Sequence, residues 1–236
     1  WSADRVFGAR DRRLSGEMFE NAAASGFASV GVDVARSGIT PTPAAVRYAD
    51  VHGRPGLVIT ASHNPPEYNG VKLVGADGIE LGVDRLETIE DHILAEDFAI
   101  AAWDEVGAVD RVDAVNREYV AALLAAVDRE AIAAADLTVA VDPGHGAGAL
   151  TSPEFFRQLG CDVVTVNATP DGHFPGRGSK PTAESLSDLR AFVADGPFDL
   201  GIGHDGDGDR IVVIDSEGEV VHEDTVLAIV ARQYTE

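Results

Sequence analysis

Leu57-Val58-Ile59-Thr60-Ala61-Ser62-His63-Asn64-Pro65-Pro66-Glu67-Tyr68-Asn69-Gly70-Val71-Lys72 joins a short apolar run to a polar loop stiffened by two prolines. Three consecutive aliphatic residues bounded by turn formers fit a strand buried on both faces. The polar stretch leaves that strand at its carboxyl end, which is where open α/β sheets bind ligands. The paired prolines fix φ and remove two backbone donors, a rigidity suited to holding one hydroxyl in line with a phosphate. Ser62 supplies the hydroxyl, His63 and Asn64 supply polar contacts, and Lys72 supplies a cation. On composition alone the same residues also read as an ordinary turn.

Outward from this stretch the chain alternates. Val30–Val34, Val139–Val141, Val163–Val166, Phe198–Ile202 and Ile211–Ile214 read as further strands. Between them, Phe19, Ala22, Ala23 and Gly26 share a helical face. So do Leu86, Ile89, Ile93 and Leu94, then Val120, Leu123, Leu124 and Val127, then Leu186, Leu189 and Val193. Ser15 and Thr42 read as N-caps, the latter followed by Pro43 at the first helical position. The expectation is an α/β fold with mixed, largely parallel sheets. The Ala-rich helix and polar link of 116–136 divide it into domains 1–135 and 136–236, and a helix over 223–236 closes the second.

A second loop carries chemistry. The run Phe198–Ile202 leads into Gly203-His204-Asp205-Gly206-Asp207-Gly208-Asp209-Arg210. Carboxylates at alternate positions, spaced by glycine, can converge on one hard cation, and without one they repel. An EF-hand loop counted from Asp205 needs glycine at its sixth position and glutamate at its twelfth; Arg210 and Ser216 stand there instead. The remaining alternative is a solvated acidic turn. Arg210 can add a charge-assisted contact to a phosphate.

Composition narrows the function classes. Forty acidic against eighteen basic residues give a net charge of −22, and Lys72 and Lys180 are the only lysines in the 236 residues. Such a surface repels nucleic acid and anionic lipid. It resembles the acidic bias of proteins from salt-loving archaea, where salt screens carboxylate repulsion. No apolar run approaches the ~18 residues of a membrane span. Cys161 is the single cysteine, which excludes an internal disulfide and a cysteine-based zinc cluster. The opening residues show no signal-peptide pattern, and without an initiator Met the chain is expected to be a trimmed segment of a cytoplasmic protein.

Residues 60–72 and 203–210 together resemble the phosphoserine and metal loops of the α-D-phosphohexomutases: phosphoglucomutase, phosphomannomutase and phosphoglucosamine mutase. Arg10–Gly16, Gly38–Pro43, Asp142–Gly148 and Pro170–Arg177 resemble supporting segments of that family, with Ala9 and Arg12 departing from its usual residues. The resemblance implies two tandem three-layer α/β/α domains, with the family's third and fourth domains absent. It implies that Ser62 carries a phosphoryl group and that Asp205, Asp207, Asp209 and the phosphoserine hold one Mg2+. Lys72 would then assist proton transfer, with His63 beside the reacting group and Arg210 and Asn64 beside the phosphate. The implied reaction interconverts hexose 1-phosphate and hexose 6-phosphate through a hexose 1,6-bisphosphate, with glucose, mannose or glucosamine phosphate as substrate. The alternative is a metal- and phosphate-binding module without turnover. The expected partner is a small sugar phosphate, with neither nucleic acid nor membrane.

Overall fold

The apolar runs become strands whose ends are set by glycine turns and by capping. A computed structural model describes residues 3–233; Trp1, Ser2 and the last three residues of the expected closing helix, 234–236, lie outside the described residues. In chain order the elements are β1 (Arg5–Arg10), α1 (Gly16–Ser29), β2 (Asp33–Ile39), α2 (Thr42–His52), β3 (Gly56–Ile59), β4 (Val71–Val74), α3 (Val83–Leu94), β5 (Val109–Arg111) and α4 (Val115–Ala125). There follow α5 (Arg129–Ala134), β6 (Thr138–Asp142), a 3-10 turn over Ala147–Leu150, α6 (Ser152–Gln158), β7 (Asp162–Thr165), α7 (Ser187–Asp195), β8 (Leu200–His204), β9 (Ile211–Asp215) and α8 (Glu223–Gln233). No described helix is long and apolar enough to cross a membrane.

The chain divides into two compact units. The first holds the residues up to Ala61 together with Glu67–Tyr119; the second holds Ser62–Pro66 and Val120 onward. Sequence reading placed the division at 135/136. Packing places it inside α4, because Val115 and Tyr119 join the first core whereas Val120 and Leu124 pack with Val139, Val141 and Ile202. The helix expected to run through this region is two helices: Asp128 accepts a hydrogen bond from the Ala131 N–H at 3.0 Å and caps a new start.

The first unit is a five-stranded sheet in the order β4-β3-β1-β2-β5, parallel except for β4, which runs antiparallel to β3. Alanines and Tyr48 on one face of α2 pack onto Phe7 and Val58, with the Phe7 and Tyr48 rings edge to face at 5.8 Å. Two expectations shift. The strand expected over 30–34 begins at Asp33, because Val30 caps α1 and Gly31 turns the chain at φ 82°. Helix α1 buries Gly16, Glu20 and Ala24 instead of the face containing Phe19, because the Arg10 guanidinium draws the Glu20 carboxylate inward at 3.0 Å. The apolar stripe of α3 forms a helix but buries no residue.

The second unit is a four-stranded sheet in the order β7-β6-β8-β9, parallel except for β9. Val139, Val141, Leu159 and Ile202 form one buried cluster; Ala140, Leu186, Leu189, Val193 and Ile214 form another. Fully burying each such aliphatic side chain contributes roughly 1.5–3 kcal/mol. Both units are mixed, largely parallel α/β sheets, as the alternation of patterns required.

Candidate functional site

In the first unit, charged residues brace the two ends of the polar loop. Asp11 and Arg13 are fully buried and joined at 3.0 Å, and the Thr60 hydroxyl donates to the same Asp11 oxygen at 2.8 Å. Arg13 also donates to the Tyr68 carbonyl at 2.9 Å, so one ion pair ties residues 60 and 68 on either side of the loop. Ser15, expected to cap α1, makes no capping bond; its hydroxyl accepts from Asn69 Nδ2 at 3.0 Å and so fixes the loop's exit. Lys72 lies on β4, and its ammonium is 3.4 Å from Glu80.

The loop tip, Ser62–Pro66, counts with the second unit, as does the aspartate loop that β8 delivers. Within that unit the Ser62 hydroxyl donates to Asp205 Oδ2 at 2.8 Å. Ser62 has φ 49°, the left-handed region that non-glycine residues avoid at a cost of ~1–3 kcal/mol. The surrounding contacts hold it there. The Ser179 hydroxyl donates to the Asn64 carbonyl at 2.7 Å, and a Cβ built on Gly206 would come within 2.8 Å of the Ser62 carbonyl oxygen. His63 Nδ1 lies 3.4 Å from Ser62 Oγ, and its pKa is lowered by burial and then by the charges of Arg210 and Lys180.

Asp205, Asp207 and Asp209 each present a carboxylate oxygen within 4.8 Å of the others. Asp205 and Asp207 have no solvent exposure, and Asp205 is pushed up to about 7, first by burial and then by the Asp207 charge. Oxygens on opposite sides of a hard cation lie roughly 4–5 Å apart. An all-oxygen donor set at this spacing fits such a cation, which would offset the mutual repulsion of these buried carboxylates. Arg210 Nε is 3.9 Å from Asp209 Oδ1, with its side chain half exposed.

A buried network supports the loop from behind. Arg177 donates to Asp142 Oδ2 at 3.0 Å, and Asp142 also accepts from the Gly144 N–H at 2.7 Å and from Asn167 Nδ2 at 3.0 Å. The Ala147 N–H donates to the Gly206 carbonyl at 3.0 Å. A Cβ on Gly146 would stand 2.5 Å from that oxygen, so the glycine-rich loop has to be bare where it meets the aspartate loop. The structure therefore brings Ser62, His63 and Asn64 into one unit with Asp205, Asp207, Asp209 and Arg210, whereas Lys72 belongs to the other unit. Sequence reading did not single out Ser179. It treated the Asp142 loop and the turn ending at Arg177 as architecture, with no sign that they converge on the aspartate loop.

Comparison with known proteins gives a consistent result. Residues 2–100 match the family described as phosphoglucomutase/phosphomannomutase, alpha/beta/alpha domain I, and residues 117–218 match its domain II. The chain is 45% identical over 224 residues to a phosphoglucomutase/phosphomannomutase of Thermococcus kodakarensis, covering 94% of this chain and 49% of that protein. It is 41% identical over 227 residues to a phosphopentomutase of the same organism, covering 96% of this chain and 49% of the relative. The crystal structure of a phosphoglucomutase/phosphomannomutase family protein from Burkholderia thailandensis superposes with a TM-score of 0.84 at 30% identity, over 99% of this chain and 51% of the other. The chain thus spans about half the length of the curated relatives it matches.

Proposed function

The chain belongs to the phosphoglucomutase/phosphomannomutase family, and from that premise we propose that it supplies the phosphoryl-carrying and cation-binding half of a sugar-phosphate mutase. The observation that carries this reading is the 2.8 Å hydrogen bond from the Ser62 hydroxyl to Asp205, one of three converging carboxylates. Ser62 bears the phosphoryl group in the resting protein. In the forward step the bond from phosphorus to Ser62 Oγ breaks while a sugar hydroxyl oxygen bonds to the same phosphorus, and Lys72 assists removal of the hydroxyl proton. The resulting bisphosphate reorients and returns its other phosphoryl group to Ser62, leaving the isomeric monophosphate.

Phosphoryl transfer depends chiefly on alignment and charge neutralisation. Ser62, Asp205, Asp207 and Asp209 would hold Mg2+, which when bound polarises the phosphoryl oxygens. The strained backbone and the Ser179 contact hold the Ser62 oxygen in place, Arg210 and Asn64 contact the phosphate, and His63 stands beside the reacting oxygen. We take the substrate as a hexose monophosphate, of glucose, mannose or glucosamine. Relatives at 45% and 41% identity carry hexose and pentose names, so overall identity does not select the sugar. The acidic surface suits a cytoplasm rich in salt.

The test uses the 236-residue chain incubated with Mg2+ and glucose 1,6-bisphosphate, then weighed intact. One phosphoryl adduct is expected on the wild type and none on Ser62→Ala. An adduct of equal occupancy on the variant would refute the assignment. A parallel assay with glucose 1-phosphate separates turnover from the module that binds metal and phosphate without it.

A further inference from the structure

Three carboxylates on a short glycine loop repel one another, so the fold has to hold the loop closed before any cation arrives. One side chain spans that closure. His204 ends β8, and its Nδ1 lies 3.0 Å from the Arg210 carbonyl oxygen, on the far side of all three aspartates. A carbonyl oxygen can only accept, so Nδ1 carries the hydrogen. The other ring nitrogen, Nε2, lies 2.9 Å from the Ser152 hydroxyl at the start of α6. Arg210 is also held through its N–H, which donates to Asp205 Oδ1 at 3.2 Å. Its peptide groups are therefore gripped on both sides. The base of the clamp is fixed in turn, because the His204 carbonyl accepts from Arg177 at 2.6 Å.

We propose that His204 is a positioning residue for the cation site: its Nδ1–H bond to the Arg210 carbonyl closes the loop that carries Asp205, Asp207 and Asp209 and so sets cation affinity. The inference rests on the cation site proposed above. Groups that orient metal ligands from behind typically contribute 10–100-fold in affinity. Two substitutions separate the two ring contacts. His204→Asn keeps an N–H donor near the Nδ1 position and loses the reach to Ser152. His204→Gln keeps a polar group near the Nε2 position and loses the donor to Arg210.

Mn2+ is the probe, titrated into the 236-residue chain and followed by electron paramagnetic resonance, with circular dichroism confirming that each variant is folded. His204→Asn is expected to bind Mn2+ within a few-fold of the wild type, and His204→Gln about 10–100-fold more weakly. A merely structural role would instead lower melting temperatures while leaving both folded variants with equal affinity, which would overturn the proposal. Asn weaker than Gln would overturn it as well. If one variant fails to fold, Ser152→Ala, which removes the Nε2 partner alone, decides: affinity within a few-fold of the wild type supports the clamp through Nδ1, and a loss of about 10-fold or more refutes it. Wild-type protein that binds no Mn2+ would instead sink the cation site itself, a result distinguishable from failure of the clamp.

Discussion

Replacing Arg177 with Met tests whether the buried network behind the aspartate loop stabilises the second unit. The guanidinium makes four hydrogen bonds, to Asp142 Oδ2 at 3.0 Å, to the Asp142 carbonyl at 3.1 Å, to the His204 carbonyl at 2.6 Å and to the Gly178 carbonyl at 3.1 Å. The side chains of Arg177 and Asp142 are 4% and 2% exposed. Removing one partner of a buried pair typically costs ~3–5 kcal/mol, because the other charge is left without compensation. Asp142 keeps the Gly144 N–H and Asn167 Nδ2, so the lower end, about 3 kcal/mol, is expected. That is a large fraction of the ~5–15 kcal/mol by which domains are stable. Hydrogen exchange at β6 and β8 amides reads the opening of this unit alone. Adding Asp142→Asn to Arg177→Met removes the stranded charge and should recover about 1–2 kcal/mol. A single-variant loss below about 1 kcal/mol, or a double variant no better than Arg177→Met, would refute the reasoning.

Gly206→Ala should displace the Ser62 peptide, since the new Cβ would meet its carbonyl oxygen at 2.8 Å; phosphorylation of Ser62 from the bisphosphate, followed by intact mass, is expected to fall while the fold by circular dichroism persists. Thermal stability should rise as KCl is raised from 0.1 to 1 M, because a net charge of −22 repels itself and the screening length falls from ~10 to ~3 Å; a flat melting temperature would contradict this. The Cys161 thiol is raised above its ordinary value of 9.0, first by burial and then by the Asp162 charge. A raised folded pKa favours the folded state below the unfolded value and loses that contribution as pH climbs beyond it. Stability should therefore drop more steeply above pH 9 in the wild type than in Cys161→Ala, and iodoacetamide should label Cys161 faster in urea than in its absence.

The strand-to-loop junctions were legible because their signal is local. Leu57–Ile59 ahead of Ser62, and the run ahead of Asp205, are apolar stretches that end in residues of unmistakable chemistry. Strand β1 was not legible, because its two arginine ends hide Val6, Phe7 and Ala9, all buried at its centre. The inward face of α1 was misjudged for a related reason: Glu20 is drawn in by Arg10, and hydrophobic periodicity gives no weight to a buried carboxylate. The break before α5 lay in one aspartate cap inside an alanine-rich stretch. The supports of the candidate site escaped because they are assembled over distance. Ser179 meets the Asn64 carbonyl and Arg177 meets the His204 carbonyl through backbone oxygens, which carry no mark in the amino-acid sequence.

The positive φ of Ser62 narrows what evolution or a designer can place there. Threonine offers the same alcohol, yet its branched Cβ makes the left-handed backbone a true outlier. Glycine and asparagine adopt that backbone with ease but have no hydroxyl to esterify. Under the proposed role, position 62 is therefore filtered twice, by conformation and by nucleophile, and an exchange that looks conservative in chemical terms, Ser62→Thr, is a drastic one for the turn that presents it.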